Sequence, residues 1–250
     1  MSSFEIEQVS RNVHNVRFPL LRVGDSQWFL LSSDRHHDNA HTDHALERKH
    51  LDQAVERGAG IIDVGDMHCA MQGKWDKRAD RSALRPEYQG GEYLDELVKH
   101  ASEFYAPYAG NFIVVGRGNH ETAITKRHET DLTERTCERM SLLSGHKVYS
   151  GGYGGWVRLI ADLGNGTRRM LQMKYFHGSG GGGPVTRGVI QTNRMSVFLP
   201  DADLVVTGHT HDHWIVPIAR ERINRKGKVH MDEQTHIRCG TYKDEYGDAF

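Results

Sequence analysis

The sequence predicts a layered α/β fold with a mixed central sheet, in a single domain over residues 1–250. Short apolar segments that resemble buried strands alternate with amphipathic helical segments in the first half of the chain, and strand pairs of the hairpin type follow in the second half. This order favours one layered α/β domain over two separate domains. A chain of 250 residues is long enough to bury a substantial core.

Each element of the first half has its own local signal. Apolar runs predict strands at 17–23 and 27–33, around a turn at 24–26, and again at 61–64 and 112–115. Helices are predicted at 43–57, at 93–105, where apolar residues recur at three- and four-residue spacing, and at 121 to about 143. The segment at about 71–91 is polar, basic and too irregular for a core element, so we expect an insertion there.

The second half is dominated by strand pairs. Strands at 156–163 and 168–176 flank Asn165 and Gly166, a strong hairpin signal because both residues tolerate positive φ. The further predictions are a helix at 186–199, a strand at 204–207 and a final strand pair at 213–220 and 229–238. The glycine run at 178–183 predicts a loop, either a mobile lid or a slack connection.

Composition and charge narrow the classes of function. The chain has 32 lysines and arginines and 33 aspartates and glutamates, so its formal net charge is -1. This balance excludes binding of nucleic acid through the net charge of the whole protein but allows a local basic patch. The three cysteines form neither a disulfide framework nor a CxxC zinc pattern, which favours a reducing compartment. The N-terminus lacks signal-peptide features and no apolar run approaches membrane-span length, so we expect a cytoplasmic protein with no membrane partner.

Five short segments carry side chains suited to metal binding, and each follows a predicted strand. They are Asp34-Arg35-His36, Gly65-Asp66, Gly118-Asn119-His120-Glu121, His177-Gly178 and Gly208-His209-Thr210-His211. Ligands of open α/β sheets collect at the carboxyl ends of strands, so these segments are expected to converge. Each motif alone is also typical of a solvated turn or a helix cap, and only the ordered set predicts a metal site. Carboxylate, imidazole and amide oxygen without thiolate suit Mn²⁺, Fe or Zn²⁺ and argue against a structural zinc site.

In this order the five motifs resemble those of the calcineurin-like metallophosphoesterases, over nearly the whole chain from Asp34 to His211. The resemblance implies a β-sandwich flanked by helices, of the four-layer type, with a dinuclear metal centre. The implied ligands of one metal are Asp34, His36 and His211, and those of the other are Asn119, His177 and His209. Asp66 is expected to bridge both metals, and His120 is expected to be the catalytic histidine.

The implied centre has a defined chemistry. Two divalent ions roughly 3.5–4 Å apart lower the pKa of a bridging water and clamp the phosphoryl oxygens, and the resulting hydroxide attacks phosphorus in line. His120 is then expected to protonate the leaving oxygen or to stabilise the equatorial charge. Mn²⁺ is the expected ion, and Fe, Zn²⁺, Ni²⁺ and Mg²⁺ are the alternatives.

One position departs from the family pattern. Many members carry Gly-Asp-x-x-Asp, whose last aspartate helps to orient the catalytic histidine, whereas this chain has Cys69 there. A thiol cannot hold an imidazolium as a carboxylate does, so the orienting role passes to His68, passes to another side chain, or is absent. Reduced catalysis of esters with poor leaving groups is the expected consequence.

Cations near the motifs are candidates for substrate contacts. Arg117, beside the catalytic motif, is the main one because a guanidinium can grip a phosphoryl oxygen bidentately. The further candidates are Arg35, Arg187 and Lys74. Lys74 belongs to the basic segment at 71–91, whose interleaved aromatics suit phosphate backbones and stacked bases but equally an exposed loop. The histidine-rich segment 37–44 either lines the rim of the site, binds a further ion, or forms a solvated helix entrance, and we favour the last interpretation.

The leading functional hypothesis is a phosphodiesterase that acts on nucleic acid or a nucleotide, because the basic and aromatic segment suits such substrates. A phosphomonoesterase, including a protein phosphatase, is the alternative, since residues 117–121 resemble the phosphoprotein-phosphatase form of the motif. A scaffold that has kept the fold and lost the chemistry is a third hypothesis, and the intact ligand set argues against it. The compact chain and residues 69–74 also resemble phage-encoded members of the family.

Overall fold

The computed structural model describes residues 4–19, 22, 24–71, 83–164, 166–181, 183 and 189–244. Within these ranges the chain forms ten strands and five α-helices, arranged as a mixed α/β fold with one large and one small sheet. The predicted α/β class is therefore confirmed. None of the helices in these ranges is long and apolar enough to cross a membrane.

The small sheet is parallel and consists of β3 (Phe29–Ser32), β4 (Gly60–Asp63) and β5 (Phe112–Val115), in that spatial order. All residues of β4 and β5 are buried, as expected for apolar strands covered on both faces. Helix α1 (His44–Glu56) connects β3 to β4, and α2 (Tyr93–Tyr105) lies between β4 and β5. Because the three strands are parallel, their carboxyl ends lie at the same edge of the sheet.

The large sheet is mixed. Its strands among the described residues are β1 (Glu5–Ser10), β2 (Val13–Phe18), β6 (Gly154–Asp162), β7 (Arg168–Phe176), β8 (Leu204–Thr207), β9 (Trp214–Ile223) and β10 (Val229–Arg238). Their spatial order is β1-β2-β6-β7-β8-β10-β9. The β1–β2, β6–β7 and β9–β10 pairs are antiparallel, whereas β2–β6, β7–β8 and β8–β10 are parallel. The carboxyl ends of β7 and β8 therefore lie side by side.

A hydrophobic core lies between the two sheets. Ile62 and Val114 of the small sheet belong to one buried cluster with Val16, Val157 and Tyr175 of the large sheet. Because both sheets contribute apolar side chains to the same cluster, they pack against each other through these faces.

Helices cover the other face of the small sheet. Leu51 of α1, Tyr105 of α2 and Met140 of α4 (Leu132–Ser144) form a second buried cluster with Ile61 of β4. Burial of these apolar helix faces against the sheet is the main source of helix stability in such a layer. The two clusters together give the order helices, small sheet, large sheet.

The prediction of one continuous helix from 121 to about 143 is wrong. The chain forms α3 (Asn119–His128) and then α4, with a break at Glu129, which adopts a left-handed backbone with φ 54°. Asp131 caps the second helix by accepting a hydrogen bond from Glu134 N at 3.2 Å. Local periodicity did not reveal the break because polar residues suit both a helix surface and a helix end.

The two strands predicted around the turn at 24–26 do not pair with each other. The strand before the turn is β2, which pairs with β1 and β6 in the large sheet, whereas β3 pairs with β4 in the small sheet. The two segments thus belong to different layers, a choice that distant pairing partners determine. The β6–β7 and β9–β10 pairs are confirmed, and so are the predicted helices at 43–57 and 93–105.

The predicted insertion at about 71–91 is only partly described, because residues 72–82 lie outside the described ranges. The described end is more ordered than expected. A 3-10 turn spans Pro86–Tyr88, and Leu84 and Tyr88 are buried in a third apolar cluster with Leu97 of α2. This end of the segment is therefore part of the core and not only a surface loop.

Candidate metal centre

Loops at the carboxyl ends of strands bring the predicted ligands together. Asp34 follows β3, Asp66 follows β4, and Asn119 begins α3 after β5. His177 directly follows β7, and His209 follows β8. Both sheets contribute strand ends, so the site lies at the edge where the two layers meet, which is where ligands of open α/β sheets bind.

The first group of candidate ligands contains Asp34, His36 and His211, whose ligand atoms lie within 4.8 Å of one another. The Nε2 atoms of His36 and His211 are 3.2 Å apart. Asp34 Oδ1 lies 3.3 Å from His211 Nε2 and 3.9 Å from His36 Nε2. Asp34 and His36 are buried and His211 is partly exposed. These are the three residues that the resemblance implies for one metal.

The second group contains Asp66, His177 and His209, with the same upper limit of 4.8 Å between ligand atoms. Asn119 lies among them. His177 Nε2 is 3.1 Å from both Asp66 Oδ2 and Asn119 Oδ1. Asn119 Oδ1 is in turn 2.7 Å from His209 Nδ1. All seven predicted ligands thus lie in two compact groups.

Backbone hydrogen bonds and ring contacts join the two groups. His209 N donates to Asp34 Oδ2 at 2.8 Å, so a residue of the second group holds the carboxylate of the first. His120 N donates to Asp66 Oδ1 at 2.9 Å, and the rings of His36 and His120 pack edge to face with centroids 5.1 Å apart. The groups therefore form one continuous site with His120 beside it.

Five of the seven candidate ligands have a left-handed backbone. The φ angle is 52° at Asp34, 47° at His36, 55° at Asp66, 78° at His209 and 60° at His211. Residues with a Cβ adopt this region rarely, at a cost on the order of 1–3 kcal/mol each, and they concentrate at functional sites where the surrounding structure holds them. This clustering supports a functional role for the site independently of residue type.

Two glycines leave space for the carboxylates. A Cβ on Gly118 would lie 2.0 Å from Asp66 Oδ1, and a Cβ on Gly208 would lie 2.5 Å from Asp34 Oδ2. A side chain at either position would therefore displace a candidate ligand. These glycines thus provide close approach of the backbone as well as the predicted sharp turns.

The donor set fits divalent cations. Asp34 Oδ1 is buried and lies 3.3 Å and 3.9 Å from ring nitrogens of His211 and His36, an arrangement that suits an oxygen sharing a cation with both rings. Asn119 Oδ1 faces ring nitrogens of His177 and His209, and a cation between these atoms is compatible with that orientation. Without a cation, the amide would satisfy more hydrogen bonds if it were turned over, so that its nitrogen donated to His209 Nδ1 and Asp66 Oδ2.

The electrostatics of the site also favour a cation. Burial lowers the pKa of His36 to about 4, so its imidazole is neutral and able to bind a metal at neutral pH. Burial lowers the pKa of His177 too, but the Asp66 carboxylate outweighs burial and raises this pKa to about 9. In the metal-free protein a proton on His177 therefore balances Asp66, and a metal ion would take over that role.

His120 is held by a backbone carbonyl in place of a carboxylate side chain. Its Nδ1 lies 2.5 Å from the carbonyl oxygen of Cys69, and its Nε2 lies 3.8 Å from Asp66 Oδ2. His68, one of the expected alternatives, is turned away, with its Nε2 3.0 Å from Thr136 Oγ1. The orienting partner of His120 is thus the main chain of the residue at which an aspartate was expected.

The Cys69 thiol has a different environment. Asn39 Nδ2 lies 3.6 Å from Cys69 Sγ, and burial raises the pKa of the thiol to about 12. Cys69 Sγ also lies within 4.8 Å of ring nitrogens of His36 and His120. The ligand set that the resemblance implies contains no thiolate, so Cys69 stands apart from the seven candidate ligands.

Arg35 does not contact substrate, and that prediction is wrong. Its side chain has 0% exposure, and its guanidinium donates to Asp63 at 2.5 Å, to Glu47 at 2.6 Å and to Ser32 at 2.8 Å. The Arg35 guanidinium also lies over the ring of Tyr105, 5.3 Å from its centroid. Arg35 is a buried ion-pair partner that joins the first motif to α1 and β4.

Arg117 pairs with Asp131, the residue that caps α4, and its side chain is 16% exposed. A substrate contact by Arg117 stays a prediction and requires this ion pair to open. Lys74, Arg187 and part of the glycine run at 178–183 lie outside the described residues. Arg85, a described cation of the basic segment, donates to the carbonyls of Asn39 and Thr42.

The segment after the first motif is more buried than a solvated helix entrance. His37 and Asp38 are both buried, whereas His41 is exposed. The rings of His37 and His44 stack with centroids 4.4 Å apart, and with Glu47 they form a further group of metal-binding type. Because Glu47 is already paired with Arg35, this group is better explained as a buried polar cluster.

Two residues beside the site carry roles that the sequence analysis missed. The carboxylate of Glu121 accepts hydrogen bonds from the backbone N–H groups of Gly118, Asp66 and His68, so it holds two of the ligand loops. A glutamate at the third position of a helix is a capping signal that could have indicated this role. Asp38 accepts from the main chain of Cys69 and Ala70, and no local pattern predicts that contact.

A comparison with protein-family models and a comparison with curated proteins find no match to this chain. The residues and their geometry are therefore the basis of the functional proposal.

Proposed function

We propose that the chain is a dinuclear metal-dependent phosphoester hydrolase, and specifically a phosphodiesterase that acts on nucleic acid or a nucleotide. One observation carries the proposal. Seven residues chosen from five ordered motifs lie in two adjacent groups, with ligand atoms of the acidic and histidine members within 4.8 Å of one another in each group. Oxygen and imidazole donors in such groups suit Mn²⁺, Fe or Zn²⁺.

The fold is part of the proposal. Calcineurin-like metallophosphoesterases, which the motifs resemble, have a four-layer sandwich of two sheets between helices. The observed order of helices, small sheet and large sheet is compatible with three of these layers.

The proposed ligands divide as the two groups do. One metal would be held by Asp34, His36 and His211, and the other by Asn119, His177 and His209, with Asp66 between them. When bound, such a pair supplies Lewis acidity toward phosphoryl oxygens and activates the attacking water. The buried carboxylates of Asp34 and Asp66 make the metal-free site negatively charged. It therefore attracts divalent cations and repels a phosphoester, which is itself an anion.

His120 would handle the leaving group. With the Cys69 carbonyl accepting from Nδ1, the Nδ1 position carries a proton and Nε2 faces the site. A proton on Nε2 can then pass to the departing oxygen, while Nδ1–H stays bonded to the carbonyl. General acid catalysis of this kind is worth on the order of 100- to 10,000-fold in rate.

A paired assay with Mn²⁺ tests the activity. We expect clear hydrolysis of bis-p-nitrophenyl phosphate and weaker hydrolysis of p-nitrophenyl phosphate. A preference for the monoester would replace the diesterase proposal with a phosphomonoesterase. Failure to bind metal, or to cleave either ester with several metals supplied, would leave a scaffold as the better explanation.

The His120→Ala variant tests the catalytic assignment. With diphenyl phosphate, whose leaving group is poor, we expect kcat to fall on the order of 100-fold or more, because the proton donor is lost, while metal content measured by elemental analysis is retained. The matched control is His146→Ala, which removes an exposed histidine outside the site. Turnover close to that of the unmodified protein in His120→Ala would remove this residue from the mechanism.

A further inference from the structure

A cavity of about 490 Å³ opens beside the candidate metal centre. The described residues that line it are Asn119, Thr122, Ala123, Lys126, Arg127 and Tyr153. Its volume falls in the range of small-molecule and cofactor sites. One lining residue, Asn119, is a proposed metal ligand, so a substrate bound at the metals reaches the cavity directly.

Helix α3 forms one wall of the cavity, and the polarity and charge of its side chains change along the wall. Asn119, Ala123 and Lys126 follow one another at four- and three-residue spacing, so they lie on one face of the helix. A helix rises 1.5 Å per residue, which places Lys126 about 10 Å along the axis from Asn119. The wall thus begins at the candidate metal ligand Asn119, passes small uncharged side chains and ends at the exposed side chains of Lys126 and Arg127.

Tyr153 forms another part of the wall and is held in place. Its hydroxyl donates to the carbonyl of Gly178 at 2.7 Å, and its ring packs edge to face on Phe176 and His177, with centroids 5.6 Å and 5.4 Å away. The ring is only partly buried. It therefore offers a rigid aromatic surface beside a proposed metal ligand.

We propose that this cavity is a subsite for the nucleotide next to the scissile diester of a single-stranded nucleic acid. A polynucleotide with one phosphate at the metals presents a base at the level of Tyr153 and a further phosphate toward Lys126 and Arg127. Stacking of unpaired bases on aromatic rings and tracking of the backbone by cations are the two contacts that single strands need. This inference rests on the proposed phosphodiesterase function and names its substrate class.

The test compares two diesters in one preparation of the Mn²⁺-loaded protein. Methyl p-nitrophenyl phosphate carries neither a base nor a second phosphate and so reports the metal site, whereas a short single-stranded oligonucleotide also occupies the cavity. We expect the ratio of kcat/KM for the oligonucleotide to kcat/KM for the small diester to fall about tenfold in Lys126→Gln and in Tyr153→Leu. In Lys126→Gln the dependence of log kcat/KM on log salt should also become shallower by about 0.7.

The control is Lys228→Gln, which removes an exposed lysine near the β9–β10 turn and should leave the ratio unchanged. An unchanged ratio in both cavity variants would overturn the subsite. Preference for a phosphopeptide that depends on Lys126 would overturn the nucleotide class. Hydrolysis of neither diester by the unmodified protein would instead overturn the proposed function, so the two failures are distinguishable.

The contacts of Asp38 carry a separate inference about His120. Asp38 is fully buried, and its Oδ1 accepts from Cys69 N at 2.6 Å while its Oδ2 accepts from Ala70 N at 3.0 Å. Tyr93 Oη donates to the same Oδ2 at 2.6 Å. Ala70 has a left-handed backbone with φ 47°, which these bonds help to hold.

The peptide group between Cys69 and Ala70 joins Asp38 to His120. In a trans peptide the carbonyl and the N–H point in opposite directions, so this unit offers its N–H to Asp38 and its carbonyl to His120. A carboxylate bonded to the N–H polarises the peptide and strengthens the carbonyl as an acceptor. We propose that Asp38 is the positioning residue of His120 and acts through this peptide, in place of an aspartate side chain at position 69.

Esters with different leaving groups test this proposal, which rests on the phosphodiesterase function. In Asp38→Asn we expect kcat for diphenyl phosphate, whose leaving group needs protonation, to fall at least tenfold more than kcat for bis-p-nitrophenyl phosphate. Metal content should be retained, and in a His120→Ala background the substitution should have no further effect on that ratio. Tyr93→Phe, which removes one donor to Asp38, should shift the ratio in the same direction and serves as the second variant if Asp38→Asn fails to fold. Equal loss on both esters, or no loss, would overturn the proposal.

Discussion

At the scale of single residues, the candidate centre is defined by backbone conformation as much as by side-chain chemistry. Asp34, His36, Asp66, His209 and His211 all have positive φ angles, between 47° and 78°. Each such conformation is unfavourable for a residue with a Cβ. The surrounding hydrogen bonds hold these residues in place, and bound cations would compensate for the strain.

A pair of variants at His211 measures that strain. Both His211→Gly and His211→Ala remove one candidate ligand, but only glycine adopts a φ of 60° without a steric cost. We expect the glycine variant to have the higher free energy of unfolding in EDTA, by about 1 kcal/mol. Chemical denaturation followed by circular dichroism measures the difference. An alanine variant that is equally or more stable would show that position 211 carries no strain.

His14 connects a single buried residue to the pH dependence of stability. It shares the inward side of β2 with Val16 and Phe18, and its Nδ1 has no hydrogen-bond partner among the described residues. Burial lowers the pKa of His14 to about 4. In the unfolded chain His14 takes up a proton near pH 6.5, whereas in the folded chain it does so only near pH 4. The stability that the folded state has with a neutral His14 is therefore complete above pH 6.5 and is lost as the pH falls toward 4.

The His14→Phe variant should remove this contribution to acid sensitivity. The comparison uses the free energy of unfolding of the variant minus that of the unmodified protein. We expect this difference to be up to about 2 kcal/mol larger at pH 5 than at pH 7.5. Urea denaturation at the two pH values provides the measurement. The same pH dependence in both proteins would show that another group, such as His68 or His236, causes the acid sensitivity, since burial lowers the pKa of each to about 4.

At the scale of elements, helices α3 and α4 both end at a residue with a left-handed backbone, but the residue type differs. Gly145 ends α4 with φ 74°, and Glu129 ends α3 with φ 54°. Glycine is the favoured residue at such a left-handed helix end because it lacks a Cβ. The break between the two helices matters for function, since α3 carries Asn119 and the cavity wall whereas α4 packs in the core.

Reciprocal substitutions at these helix ends should have opposite effects. Glu129→Gly should raise the free energy of unfolding by about 0.5–1 kcal/mol, and Gly145→Ala should lower it by about 1 kcal/mol. A Cβ on Gly145 would meet no atom within 4 Å, so the loss reflects backbone conformation alone. Thermal denaturation of both variants gives the comparison. A destabilised Glu129→Gly variant would indicate that the glutamate side chain contributes more than its backbone strain costs.

At the scale of the whole molecule, the candidate centre joins the two sheets. Asp34, Asp66 and Asn119 follow strands of the small sheet, whereas His177 and His209 follow strands of the large sheet. A bound cation would therefore link layers that otherwise associate through the apolar core between them. Ligand binding to the folded state alone raises its stability by mass action.

Metal addition should therefore stabilise the whole domain. With free Mn²⁺ at 100 times the Kd of one site, we expect the free energy of unfolding to rise by about 2.7 kcal/mol, reversibly on addition of EDTA. In Asp66→Asn, which retains the size of the side chain and loses its charge, most of this rise should disappear. Thermal unfolding monitored with and without the metal measures both effects. A rise of equal size in Asp66→Asn would place the stabilising ion elsewhere.

The sequence alone was sufficient to select the residues that lie together in the candidate centre, because each of them stands in a recognisable local motif. Asp34, Asp66, His177 and His209 each lie within three residues of the end of a short apolar segment, and the order of their motifs along the chain is visible without a structure. Strand ends of one α/β layer meet at a common edge, so sequence position translates into spatial proximity. Helices with clear apolar periodicity, such as α1 and α2, were predictable for the same reason.

Only the tertiary structure decided the roles that depend on partners far along the chain. His120 lies 51 residues from Cys69 and takes its carbonyl as partner, and Arg35 is buried against Asp63 across 28 residues. The left-handed backbone at the candidate ligands and the assignment of β2 and β3 to different sheets likewise appear only in the folded chain. Residue type and periodicity indicate which side chains could bind a metal. Burial and pairing between distant segments determine which groups orient those side chains, and which arginines and lysines remain accessible to a substrate.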